Sequence, residues 1–303
     1  MKTTIADIQK KYYQKLDHID LELLIAHVFK KSREFVLAHP EYVLPKLKIV
    51  NCELKIARRM RGEPLAYILG FKEFFGYPFL VSPATLIPRP ETELMVEETL
   101  EEIKSQKSKV INIIDVGTGS GNIIISVAKN LEPTWTFDVQ MQKGHRMPLY
   151  GIDISKETLR VAKRNAKKNN VAEKIKFIQG NLLTPIIENC ESKIENSKMI
   201  ILANLPYLSK KIYAATAPTV KKFEPKSALY SSKEGLAHYE KLFKQIKILE
   251  AKNYGLKAIL EISPEQKTSL AKMAKKYFPA SKIVFKKDLA GRTRLAIISL
   301  QSL

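Results

Sequence analysis

The chain reads as an α/β protein: a mostly parallel sheet with one antiparallel strand, helices on both faces, and a small helical domain ahead of it. Three observations predict this. From residue 93 onward, apolar runs of strand length alternate with segments of helical period, as in a parallel sheet with crossover helices. A glycine turn, Asp115-Val-Gly117-Thr-Gly119-Ser-Gly121, follows the first of these runs. The first 62 residues carry helical spacing only, broken at His39-Pro40 and Leu44-Pro45.

In the N-terminal part, Leu16, Ile19 and Leu23 recur at helical spacing with Leu24, Ala26 and His27, and Asp20 suits a first helical turn. The period resumes over Leu47–Met60, through Val50, Leu54, Ala57 and Arg58, and Gly62-Glu-Pro64 stops it. Phe71, Phe74, Phe75, Tyr77 and Phe79 then cluster around Gly70, Gly76 and Pro78, which predicts a short hairpin whose aromatics pack a domain interface. The expected organisation is a helical domain over 1–70, a hairpin linker over 71–84 and a sheet domain over 85–303.

Glu91–Lys104 reads as a helix, Val110–Val116 as the first strand and Gly121–Asn130 as the next helix. Leu149–Ile154 and Lys156–Asn169 repeat the pair, and Ile175–Gln179, Met199–Ala203 and Ala258–Ile262 add strands. Lys233–Asn253 and Pro264–Tyr277 are helical, and Gly291-Arg-Thr-Arg joins Lys282–Lys287 to Leu295–Leu300 as a hairpin. That hairpin supplies the one antiparallel strand. Leu131–Met147, with the sole tryptophan Trp135, is long for such a connection and reads as a surface elaboration.

The length of 303 residues favours two domains, and 45% hydrophobic with 27% charged content is ordinary for a globular protein. No apolar run is long enough to cross a bilayer, and no uninterrupted apolar segment in residues 1–30 marks a secretory signal. Cys52 and Cys190 have no CxxC spacing and the five histidines are scattered, so a reduced cytoplasmic compartment fits and a metal site is not expected. The net charge of +20 favours acidic partners. Much of it is lysine spread along helix faces, as in Lys156, Lys163, Lys167 and Lys168, so sequence-specific nucleic-acid binding is not expected.

The glycine turn is GxGxG, and Asn122 stands where a dinucleotide fingerprint needs Gly. Its glycines let the backbone of Gly117, Thr118, Gly119, Ser120 and Gly121 approach a nucleotide-like ligand. Asp115 is placed to accept from an ammonium or to order the loop. Asp153, closing the second strand, is placed to accept both ribose hydroxyls, and Ser155 suits the cap of the following helix. Asn181 and Leu182, after the third strand, occupy the rim where an adenine would sit. Asn204-Leu205-Pro206-Tyr207 ends the fourth strand. There the Asn204 side-chain oxygen and the residue-205 carbonyl would accept both N–H groups of a planar nitrogen, freeing its lone pair. Pro206 biases Leu205 towards extended geometry, and Tyr207 offers a flat wall. Glycine turn and tetrapeptide together point to methyl transfer onto nitrogen from S-adenosyl-L-methionine, on a Rossmann-like sheet of the class I methyltransferase type.

At these residues the chain resembles the protein-(glutamine-N5) methyltransferases that modify peptide-chain release factors, the PrmC/HemK family. The resemblance runs through Arg58-Arg59, Gly62–Gly70, Glu73-Phe74, Leu86–Glu93, Asp115–Gly121, Asp153-Ile-Ser155 and Asn165-Ala166. It continues through Glu224-Pro225, Ala228-Leu229, Gly235-Leu236, Glu261-Ile262, Gln266 and Asp288–Arg292. It implies methylation of the glutamine in the Gly-Gly-Gln loop of class-1 release factors, read in an open cleft. It also implies that Ile87-Pro-Arg-Pro separates this group from relatives acting on ribosomal proteins. Leu205 stands where the family usually has Pro, Asn181 where Asp is frequent, and Ser231-Ser-Lys-Glu234 replaces a glycine-rich acidic turn; the last is expected to alter only a surface loop. Two other readings compete. An adenine-N6 DNA methyltransferase shares the tetrapeptide, but residues 1–84 carry no recognisable DNA-reading motif. A non-catalytic, S-adenosylmethionine-binding ribosome-associated factor would suit the charge and Leu205.

Overall fold

The computed structural model describes residues 2–105, 111–131, 135–136, 145–189, 198–251 and 255–300. Two compact units divide it: Met1–Phe71 with Ala217–Phe223, and Lys72–Thr216 with Glu224–Leu303.

The helical unit contains α1 (Ile5–Tyr12), α2 (His18–Phe29), α3 (Arg33–Ala38), α4 (Lys46–Met60) and α5 (Leu65–Leu69). Thr4 and Asp7 form a reciprocal capping box on α1, while Asp17 and Ser32 accept from the Asp20 and Phe35 N–H groups to start α2 and α3. The buried faces match the expectation only in part. On α2 Leu24 and Ala26 are buried as expected, with Leu21, Ile25 and Val28 beside them, while Ile19 is exposed; on α4 Cys52 and Ile56 are buried and Val50 and Leu54 are exposed. The run Ile19–Phe29 is apolar on almost every side, so its period cannot choose a face. On α4 two apolar stripes compete, and the choice falls to shape.

The sheet unit opens with β1 (Phe71–Phe74) and β2 (Tyr77–Leu80), the anticipated hairpin. Phe74 and Phe79 lie edge to face, 6.0 Å apart, inside the sheet unit's own core rather than packing an interface. Strand alternation places both on the inner face.

Next come α6 (Glu93–Ser105), β3 (Ile111–Val116), α7 (Asn122–Asn130), the short β4 (Trp135–Thr136) and β5 (His145–Arg146), β6 (Leu149–Asp153) and α8 (Lys156–Lys168). They are followed by β7 (Ile175–Gln179), α9 (Thr184–Asn189), β8 (Lys198–Ala203), α10 (Lys210–Ala215) and α11 (Pro218–Phe223), the last of which belongs to the helical unit. The chain continues through α12 (Ala237–Glu250), β9 (Gly255–Glu261), α13 (Lys267–Tyr277), β10 (Lys282–Lys287) and β11 (Thr293–Leu300). Helices α9, α10 and α11 were not anticipated. The connection around Trp135 falls largely outside the described residues.

Seven strands form one sheet in the order β10-β11-β9-β8-β3-β6-β7, and β11 alone runs antiparallel to its neighbours. From β3 the chain moves outward through β6 to β7, then returns to β8 on the other side. That reversal opens a crevice at the carboxyl ends of β3 and β8. Every residue of β3 is buried, as expected for a central strand covered on both faces.

Asn165 on α8 braces this edge. Fully buried, it accepts from the Leu80 N–H at 2.7 Å and donates to the Leu80 carbonyl at 3.0 Å and the Ser120 carbonyl at 2.8 Å. The hairpin and the glycine turn are thereby tied to one helix. Asn165→Ala removes the partner of three backbone groups, two on half-buried Leu80 and one on buried Ser120, and should lower unfolding free energy by about 2 kcal/mol in urea titrations; a loss below about 0.5 kcal/mol would contradict this role.

Candidate active site

Four strand ends converge at the carboxyl edge. They border one cavity of about 400 Å³, lined by Gly117–Ser120 after β3, Asp153 at the end of β6, Asn181 and Leu182 after β7, and Asn204–Pro206 after β8. The size suits a nucleotide-like cofactor.

Gly117, Gly119 and Gly121 all adopt positive φ (74°, 58° and 80°), the conformation that folds the turn under α7. Gly121 itself does not border the cavity. A Cβ there would stand 2.8 Å from Ile125 Cδ1 and 3.3 Å from Ala162 Cβ, so its bareness serves the packing of α7 on α8. Asp115 is also outside the lining: it is fully buried, and its Oδ2 accepts from the Thr118 hydroxyl at 2.6 Å. Of its two anticipated uses, the structure shows the ordering of the loop.

Asp153 accepts from the Ser155 N–H at 2.9 Å and the Gly119 N–H at 3.1 Å, one bond to each carboxylate oxygen. Each oxygen retains a further lone pair. Burial raises its carboxyl above the ordinary range, against the backbone bonds from Ser155 and Gly119. The cap of α8 is Ser155, which accepts from the Thr158 N–H. Leu182 is buried with a φ of 55°, and Asn181 is exposed beside it.

Across the cavity from the glycine turn, Asn204 heads a hydrogen-bonded cluster. Its Nδ2 donates to Thr92 Oγ1 at 3.1 Å and to Glu261 Oε2 at 3.0 Å. Glu261, ending β9, is fully buried, and burial pushes it above the ordinary carboxylate range despite hydrogen bonds from Thr92 and Tyr207. The Tyr207 hydroxyl donates to Glu261 Oε1 at 3.1 Å, and the Tyr207 ring stands outside the cavity lining. Leu205 is buried, with Cδ2 3.0 Å from where a Cβ on Gly117 would lie. Glycine turn and tetrapeptide are thus in direct contact.

The turn at Ser231–Glu234 is more than a surface loop. Lys233, Glu234 and Gly235 all have positive φ, and Gln266 Nε2 donates to both the Glu234 and Tyr207 carbonyls at 2.9 Å. A Cβ on Gly235 would lie 2.0 Å from the Tyr207 carbonyl oxygen. This turn therefore clamps the last carbonyl of the tetrapeptide.

Several contributors escaped sequence reasoning as site residues. Thr92 and Arg89 border the cavity, and Arg89 pairs with the buried Glu224, whose other oxygen accepts from the Ile87 N–H. His238, half-buried on α12, also borders it, and burial lowers its pKa. For Glu261 a signal existed: an acid closing the apolar run Ala258-Ile-Leu at the carboxyl edge. His238 offered none.

A PrmC N-terminal domain model matches residues 9–70 and a methyltransferase domain model matches residues 107–259. The release factor glutamine methyltransferase of Clostridium botulinum is 34% identical over 91% of this chain and 90% of its own length. That of Buchnera aphidicola is 34% identical over 95% of each chain. The chain belongs to the release factor glutamine methyltransferase family. Staphylococcus aureus has another such relative, 32% identical over 90% of this chain and 89% of its own. Among solved structures, the hMettl16 catalytic domain in complex with a 3′UTR hairpin overlays with a TM-score of 0.53 at 14% identity, covering 75% of this chain and 76% of that one. This likeness shows the fold alone. No helix among the described residues is long and apolar enough to cross a membrane.

In this family member, burial pushes the Asp115 carboxyl from 3.8 up to about 7, against the opposing bond from Thr118. A raised carboxyl pKa means that ionisation costs the folded state as pH climbs from the ordinary value to the shifted one. The stability of wild type relative to Asp115→Asn should therefore fall by up to about 1.4 kcal/mol per pH unit between about pH 4 and pH 7, then level off. Parallel urea-unfolding profiles for the two proteins would contradict this.

Proposed function

We propose that this protein transfers the methyl group of S-adenosyl-L-methionine to the N5 nitrogen of the glutamine in the Gly-Gly-Gln loop of class-1 peptide-chain release factors. One observation carries the reading: a single cavity is bordered both by Gly117–Ser120 with Asp153 and by Asn204–Pro206. The residues on one side suit a nucleoside with an amino-acid tail, and those on the other a planar nitrogen. Membership of the family supports the same substrate class.

Bound S-adenosylmethionine supplies an electrophilic methyl on a sulfonium. Asp153 would hold the ribose hydroxyls, Asn181 and Leu182 the adenine edge and face, and the turn amides the amino-acid end. Asn204 Oδ1 and the Leu205 carbonyl would accept the two carboxamide N–H groups, drawing the lone pair out of conjugation. Pro206 keeps that carbonyl aimed, and Tyr207 backs the corner through its bond to Glu261. Holding donor and acceptor in line removes much of the entropic barrier. Residues 1–70 recognise the body of the release factor. The reaction belongs in the cytoplasm, with translation.

Mass spectrometry of the release-factor peptide containing Gly-Gly-Gln, after incubation with protein and cofactor, tests this reading. One added methyl on glutamine is expected, and an unmodified peptide contradicts it. Asn204→Ala should lower turnover by about a hundredfold while leaving cofactor affinity within about twofold; undiminished turnover would refute its role. Asp153→Ala should raise the cofactor Kd at least about tenfold by calorimetry, and an unchanged Kd would remove it from the ribose site.

A further inference from the structure

Glu261 touches the tetrapeptide yet does not border the cavity. Parallel register pairs Ala203 of β8 with Leu260 of β9, so the next residues, Asn204 and Glu261, meet at the carboxyl edge. Two oxygens surround the Asn204 amide nitrogen: Glu261 Oε2 at 3.0 Å and Thr92 Oγ1 at 3.1 Å. A carboxylate only accepts. Thr92 gives its one hydroxyl proton to Glu261 Oε2 at 2.6 Å, so it too presents a lone pair to Asn204.

We infer that Glu261 is a positioning residue that locks the Asn204 carboxamide with its nitrogen inward and its oxygen towards the cavity, making the corner selective for an N–H donor over a carboxylate. The inference deepens, and rests on, the proposed glutamine methylation. Turning the amide over would set its oxygen against two other acceptors. In the observed orientation the nitrogen is satisfied, and among the described residues no donor reaches Oδ1. Donation to a charged acceptor also draws electron density onto Oδ1, strengthening it as an acceptor. A glutamine carboxamide offers one N–H to such an oxygen and keeps the other for the Leu205 carbonyl, whereas a glutamate carboxylate offers only repulsion. Glu261 is sealed behind Asn204, so it is not placed to take a proton from the substrate.

The scaffold holds Glu261 independently of Asn204. Tyr207 donates to its other oxygen, and the buried Tyr239 hydroxyl donates to its backbone carbonyl. Glu261→Gln keeps one oxygen facing Thr92 and Asn204 if its NH₂ donates to a turned Tyr207 hydroxyl. Glu261→Leu removes every acceptor at similar size.

Single-turnover methylation of release factor by wild type, Glu261→Gln, Glu261→Leu, Asn204→Ala and Asn204→Ala/Glu261→Leu tests the inference, with cofactor Kd measured on each. The Leu variant should lose about a hundredfold in rate, close to Asn204→Ala, with cofactor Kd unchanged. The Gln variant should recover to within about tenfold of wild type. In the Asn204→Ala background the Leu substitution should cost less than about threefold, because its effect passes through Asn204. An undiminished Leu variant, or equal losses in both backgrounds, overturns the inference while wild-type methylation keeps the functional reading intact. If Glu261→Leu does not bind cofactor, Thr92→Val carries the same comparison, with a smaller loss that must also vanish without Asn204. A wild type that leaves the glutamine unmethylated sinks both.

Discussion

A carboxylate buried at the carboxyl edge of the sheet sets the geometry of the acceptor side. An ionised group there is tolerated only if donors surround it. Glu261 draws the hydroxyls of Thr92 and Tyr207 and the amide nitrogen of Asn204, from residues 57 to 169 positions away in sequence for Asn204 and Thr92. The hydrogen bonds to this one buried carboxyl group thus fix the start of α6, the end of β8 and the end of β9 against each other. Gln266 and the left-handed turn at Lys233–Gly235 fasten the last carbonyl of the tetrapeptide, that of Tyr207. An amide intended to discriminate donor from acceptor needs that degree of constraint, because either of its ends fits the same space.

The cofactor side is assembled by different means. Backbone conformation dominates: positive φ along the glycine turn, an N–H of that turn bonded to Asp153, and Asn165 binding the turn to the hairpin. The two sides meet where Leu205 packs on Gly117. Leu205 lacks the covalent stiffness of a proline, and its buried side chain instead anchors the backbone ahead of Pro206 by packing. A Cβ at 117 would press on the Leu205 side chain, and the positive φ of 74° would strain any non-glycine residue there.

Much of this was legible in sequence where local chemistry decides the outcome. The apolar runs of β3, β8 and β9 announce central strands, and Gly117-Thr-Gly119 can hardly be other than a turn. That Asp153 and Asn204 border the cavity was legible because one ends such a run and the other directly follows one. What escaped depends on tertiary partners. The periods of α2 and α4 left two faces open, and packing chose the one carrying Leu21 and Cys52. Lys233 and Glu234 have no intrinsic taste for positive φ, so their turn is imposed by Gln266 and Tyr207 rather than signalled. Short helices such as α10, rich in lysine, lack the length for a period to show. Thr92 reads as an ordinary first-turn residue until Glu261 is seen beside it.

The orientation of one amide is where the account is most exposed. A crystal of the protein with the demethylated cofactor product and a Gly-Gly-Gln peptide would show it directly. The glutamine Nε2 should lie about 3 Å from both Asn204 Oδ1 and the Leu205 carbonyl, with Asn204 Nδ2 still on Glu261. A peptide glutamine seated elsewhere, or bonded to an outward-facing Asn204 nitrogen, would contradict it.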